Sequence, residues 1–72
     1  MKQGTRLEAI ATFRAGKRTF KPGVKYWITA NQNTHSSTVP AGAAIVGNSK
    51  DSIGQGICLT LENIEKLFNV IN

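Results

Sequence analysis

Val24-Lys25-Tyr26-Trp27-Ile28-Thr29 is the stretch that decides the fold. Apart from Lys25 it consists of β-branched and aromatic residues, which fit a pleated surface. Side chains alternate along a strand. Val24, Tyr26 and Ile28 therefore share one face, and Lys25, Trp27 and Thr29 the other.

Before this strand stands Pro22-Gly23. Proline presets φ at the second position of a turn and glycine takes the third. Upstream, Lys17-Arg18-Thr19-Phe20 is extended, and Ala15-Gly16 is placed to make a tight hairpin turn. Leu7, Ala9, Ala11 and Phe13 alternate with Glu8, Ile10, Thr12 and Arg14, which reads as one strand with a buried face.

Downstream, residues 30–38 are polar and read as a loop. Val39-Pro40-Ala41-Gly42 reads as a turn, Ala43 to Val46 as a short strand, and Gly47 to Gly56 as a second loop. Ile57-Cys58-Leu59-Thr60-Leu61 alternates again. Leu61, Ile64 and Phe68 then recur at helical spacing, with Thr60 as N-cap and Glu62 in the first turn. So short a helix needs packing to persist. It is expected to plug the end of a barrel, with Val70-Ile71 as a last strand.

The expected fold is mainly β, in one domain over residues 1–72. It is a small SH3-like barrel or a bent antiparallel sheet of about five strands, with a short C-terminal helical turn. Its expected core is Leu7, Ala11, Phe13, Phe20, Val24, Tyr26, Ile28, Ile45, Leu59, Leu61, Ile64, Phe68 and Val70. A single core of this size rarely supplies more than roughly 3–5 kcal/mol. The single cysteine, Cys58, makes an intramolecular disulfide impossible, and Cys58 with the single histidine, His35, is too little for a structural zinc site. The remaining options for stability are a compact β core, or help from a partner or a second copy of the chain.

Two stretches resemble a known pattern. Phe20-Lys21-Pro22-Gly23-Val24-Lys25-Tyr26-Trp27-Ile28 resembles the opening of many small SH3-like β-barrel proteins of bacteriophages and bacterial mobile elements. Ile57-Cys58-Leu59-Thr60-Leu61-Glu62-Asn63-Ile64-Glu65-Lys66-Leu67-Phe68-Asn69-Val70-Ile71 resembles their ending, in which a strand leads into a helical turn, a phenylalanine and a final aliphatic strand. The N-terminal basic strand and the longer polar segment from Asn31 to Gly56 depart from the simplest members. The resemblance implies a non-enzymatic adaptor or inhibitor that acts on a host protein.

Charge is a separate observation, and simple solubility from surface lysines is its plainest explanation. The net charge is +5, and it is uneven. Residues 1–25 hold Lys2, Arg6, Arg14, Lys17, Arg18, Lys21 and Lys25 against Glu8 alone. One positive face attracts an acidic protein surface or nucleic acid. The candidate binding group is Arg14, Lys17, Arg18, Lys21, Lys25 and Trp27. Arginine and tryptophan are common interface hot spots. The same set can track a DNA or RNA backbone and stack a base. The structural alternative is that Trp27 covers a small second core under the polar loop.

Catalytic and metal chemistry find no support in the sequence. Glu8, Asp51, Glu62 and Glu65 are scattered, whereas acid–base work needs a tuned pair. His35, beside Ser36 and Ser37, lacks an orienting partner in its polar loop. Cys58 reads as a small hydrophobe on a strand. Gly54-Gln55-Gly56 lacks the strand before it and the Lys-Ser/Thr after it that a phosphate loop requires. No catalytic residue, metal ligand or cofactor is expected. No apolar run is long enough to span a membrane, and Met1-Lys2-Gln3-Gly4-Thr5-Arg6 has no signal-peptide character. A cytoplasmic protein, in the host cytosol if phage-encoded, is the expectation.

Overall fold

The computed structural model describes residues 2–34, 39–49, 51 and 53–71. Seven strands and one helix follow in chain order: β1 (Arg6–Ala9), β2 (Phe13–Ala15), β3 (Arg18–Phe20), β4 (Tyr26–Asn31), β5 (Ala43–Asn48), β6 (Ile57–Thr60), α1 (Leu61–Leu67) and β7 (Phe68–Ile71). Five strands form one sheet in the order β6-β5-β4-β1-β7, with every neighbouring pair antiparallel. The hairpin β2–β3 is a separate two-stranded sheet.

The bent antiparallel sheet with its C-terminal helix is the form the fold takes. The closed barrel is not: β6 and β7 are the two edges, and no strand pairing joins them. The curvature is nevertheless strong. Laid flat, five strands place their edges roughly 19 Å apart. The chain passes from β6 through the seven residues of α1 directly into β7. A helix of that length rises only about 10 Å. The sheet must curl for α1 to connect its edges, so the helix bridges them and does not plug a closed end. Thr60 caps it by accepting a hydrogen bond from the Asn63 N–H at 3.2 Å.

The concave face holds the core. Leu7, Ala9, Phe20, Tyr26, Ile28, Ala44, Val46, Ile64 and Phe68 are buried together. Four rings knit it. Phe13 stacks on Phe20 with centroids 5.0 Å apart, and Phe68 meets Phe13, Phe20 and Tyr26 edge-on. Such pairs add to the burial of their area. The hairpin is thus bound to the sheet by its phenylalanines. The Tyr26 hydroxyl fixes its exit by accepting from the Lys21 N–H at 2.9 Å.

Several local expectations change. β1 ends at Ala9, and the chain bends through Ile10 and Ala11 before Phe13 opens β2. Ile10 is 54% exposed, and its N–H donates to the Leu67 carbonyl. The bend frees Phe13 to turn onto Phe20 and leaves Ala11 exposed. Val24 is 40% exposed because the Pro22-Gly23 turn runs through it, with the Val24 N–H on the Lys21 carbonyl and Gly23 at φ +86°. Lys25 likewise precedes β4. Val70 lies at the sheet edge, 48% exposed. Phe13, Leu59 and Leu61 are partly buried, and α1, not β6, takes Leu61.

The polar loop starts later than expected. β4 continues through Ala30 to Asn31, and β5 extends to Asn48. A register shift between Ile28 and Ala30 bends β4 there. Ala30, Val39, Ala43 and Ile45 then form a second small core. His35 and its neighbouring serines lie outside the described residues.

Candidate functional site

The convex face of the sheet carries one aromatic, Trp27. Its position follows from register. Trp27 pairs with Arg6 on β1 and with Gly47 on β5. Directly paired residues point to the same side of an antiparallel sheet. Ile71, paired with Arg6, extends this row onto β7. Trp27 is half-buried and Arg6 is exposed.

The loop between β5 and β6 builds a wall beside the tryptophan. The Thr29 hydroxyl donates to the Gln55 carbonyl at 2.8 Å, and the Gly54 N–H donates to the Thr29 carbonyl at 3.0 Å. This close approach depends on Gly47. A Cβ there would lie 2.7 Å from the Gln55 oxygen, 2.8 Å from Asp51 Oδ2 and 2.9 Å from Thr29 Cγ2. On the other side the N-terminal segment is tied down: the Gly4 N–H donates to the Ile28 carbonyl, and the Ile28 N–H to the Thr5 carbonyl. Between the two walls lies an open, mostly apolar depression of about 570 Å³. Trp27, Ile53, Gln3, Gly4, Asn48 and Asp51 contribute to its lining. Ile53 is 71% exposed.

Asp51 joins this depression to the hairpin. Arg18 Nη1 donates to Asp51 Oδ2 at 2.5 Å, and Nη2 donates to Oδ1 at 3.1 Å. The Asn48 N–H adds a third bond to the carboxylate at 2.8 Å. The side-chain hydrogen bonds from Arg18 hold the Asp51 carboxyl below the usual carboxylate range, against the opposing effect of burial, with Asn48 assisting. The same bonds raise Arg18 above its ordinary value. This bidentate, partly covered fork is stronger than an ordinary surface pair.

The six residues singled out from sequence therefore separate into three groups. Arg14, Lys17, Lys21 and Lys25 are exposed on and beside the hairpin, with no ion pair among the described residues. Arg18 is committed to Asp51 and acts as a structural tie. Trp27 belongs to the convex depression and not to the hairpin surface. A second small core lies elsewhere among the described residues, where Val39 is buried with Ala30, Ala43 and Ile45.

Sequence reasoning missed Arg6, Gly47 and Ile53. Arg6 was legible only as one of seven early cations, since its place beside Trp27 depends on strand register. The contributions of Gly47 and Ile53 depend on how the loop folds back. Cys58 is exposed on edge strand β6. No cluster of three potential metal-ligating side chains occurs among the described residues, and no helix is long and apolar enough to cross a membrane. Comparison with family models, characterised proteins and solved structures gave no significant match.

Proposed function

We propose that this chain is a small, non-enzymatic binding protein that docks on an acidic surface of another protein and modulates it. A phage-type accessory or inhibitor acting in the host cytosol is the form this takes. The observation that carries the reading is the pairing of an apolar depression, lined by Trp27 and exposed Ile53 among others, with a hairpin whose exposed cations have no described ion partners. Apolar anchors supply most of the affinity at protein interfaces, and rim charges supply steering and register. The ending of the chain also supports the resemblance, since β6, α1, Phe68 and β7 follow in the order it implies.

Direct binding of DNA or RNA is the second reading, and the exposed Arg14, Lys17, Lys21 and Lys25 favour it. Against it, Trp27 lies in the depression and not on the hairpin that carries most of these cations. Asp51 also places a carboxylate on the depression lining.

Affinity capture from nuclease-treated bacterial lysate tests the reading. The wild-type chain is expected to retain one protein stoichiometrically. A Lys17→Glu, Lys21→Glu variant and a Trp27→Ala variant, both shown to be folded, are expected to lose it. Recovery of nucleic acid without a protein partner would place the second reading first.

A further inference from the structure

We infer that the depression beside Trp27 receives one large apolar side chain from an extended acidic segment of the partner, and that Arg6 holds a carboxylate next to that side chain. This rests on the protein-docking reading and gives the docked element a chemistry.

The interior of the depression selects an apolar group. Its lining is mostly apolar, and its volume falls in the range of ordinary ligand pockets. Among the described residues Asp51 is the charged member of the lining, and its carboxylate already accepts two bonds from Arg18 and one from the Asn48 N–H. It is neutralised in place and offers no open site for a cation. Ile53 lines the same depression as Trp27 and is 71% exposed, so it has apolar area left to cover.

The rim selects the flanks. Arg6 is the cross-strand partner of Trp27 and is exposed. Cβ atoms of such a pair lie about 5 Å apart. A carboxylate held by Arg6 is therefore within a residue or two of an anchor resting on Trp27. Lys2, also exposed, precedes the lining residue Gln3 in the chain. Two of the four acids of the chain are held in ion pairs, Asp51 with Arg18 and Glu62 with Lys66. The charge complement of this rim is acidic, and an extended chain reaches both rim and depression because the depression is open to solvent.

Trp27 is the chain's single tryptophan and reports its own occupancy. The probe is a set of short synthetic peptides. One is rich in Asp and Glu with a central Leu. A second has Ser in place of Leu. A third keeps Leu but replaces the acids with Gln. The acidic Leu peptide is expected to shift Trp27 emission saturably, more weakly at high salt. The Ser and Gln peptides are expected to bind at least about tenfold more weakly. Ile53→Glu is expected to weaken the Leu peptide about thirtyfold, as hot-spot loss does. Because Ile53 is exposed, its melting temperature should stay within a few degrees of wild type. Arg6→Ala is expected to weaken binding severalfold at low salt only.

Equal binding of the Leu and Ser peptides overturns the anchor and leaves the acidic-surface reading standing. Equal binding of the acidic and Gln peptides overturns the role of Arg6. Silence of every peptide, with labelled RNA or DNA binding steeply with salt, overturns both the inference and the reading beneath it. Silence of every probe overturns the inference alone, and lysate capture then decides the broader reading.

Discussion

The two faces of the curled sheet use aromatic residues in opposite ways. On the concave face, Phe13, Phe20, Tyr26 and Phe68 contact one another ring to ring, and three of the four are almost fully buried. On the convex face Trp27 stands alone, half-buried, between a loop and the N-terminal segment. Tyr26 and Trp27 are adjacent in one strand and differ only in the face they take. Ring-to-ring packing converts area into stability, whereas an isolated half-covered ring beside apolar space retains area to bury on binding. The contrast predicts that damage to the first face unfolds the chain and damage to the second disarms it.

The largest effect belongs to the concave face. Phe68→Ala removes a ring that meets three others. Aromatic truncations of this kind cost about 3–5 kcal/mol. That is comparable with the roughly 3–5 kcal/mol a core of this size supplies. The variant is expected to be largely unfolded by circular dichroism at room temperature. A cooperative melt near wild type would mean that α1 and β7 do not depend on the aromatic cluster.

Gly47→Ala comes next and strikes the convex face without touching a ring. Its Cβ would overlap the Gln55 carbonyl, the Asp51 carboxylate and Thr29. Overpacking of this kind costs about 1–3 kcal/mol. The β5–β6 loop must lift to accommodate it, so faster amide exchange at Gly54 should accompany the lower melting point. Unchanged exchange there would detach the wall of the depression from Gly47.

Much of the concave face was legible in sequence, and little of the convex one. Tyr26, Ile28, Ile64 and Phe68 announced themselves by period two or by helical spacing, and Thr60 by its place before the helix. Local rules reach those positions because each depends on neighbours within a few residues. Ala11, Val24 and Val70 failed because strand ends and sheet edges are tertiary facts that alternation does not encode. Ala44 and Val46 form part of a strand buried on both faces, which has no alternation to read. The site was harder still. Arg18 resembled Lys17 and Lys21 in sequence, yet its partner Asp51 lies 33 residues away. Alternation alone places Trp27 on the face opposite Tyr26, but Arg6 and Ile53 join it only through register and loop folding.

The Arg18–Asp51 tie links the two regions and gives a smaller, pH-dependent effect. Asp51→Asn is expected to lower stability at neutral pH by about 1 kcal/mol, the scale of a partly covered pair that also serves a backbone N–H. Asp51 has its folded pKa below the unfolded value. Its contribution is therefore complete above the ordinary carboxylate range and disappears as pH falls through the folded value. Wild type and Asp51→Asn should differ at pH 7 and converge as the pH drops well below about 4. A gap that persists in acid would assign the effect to packing of the loop and not to the ion pair.

Trp27→Ala is expected to change stability little and binding most. The ring lies outside both buried clusters and takes no part in the aromatic network, so its removal forfeits only half-covered contacts. A loss of about 1 kcal/mol, a few degrees in melting temperature for a chain of this size, is the expected scale. On the proposed docking reading, partner capture should nevertheless vanish, because Trp27 lines the depression that would take the anchor. The paired measurement is what separates the faces. Phe68→Ala loses binding through loss of fold, while Trp27→Ala loses it with the fold intact. If Trp27→Ala instead melts as low as Phe68→Ala and its folded fraction still binds, the convex aromatic is structural. The exposed cations of the hairpin then carry recognition without it.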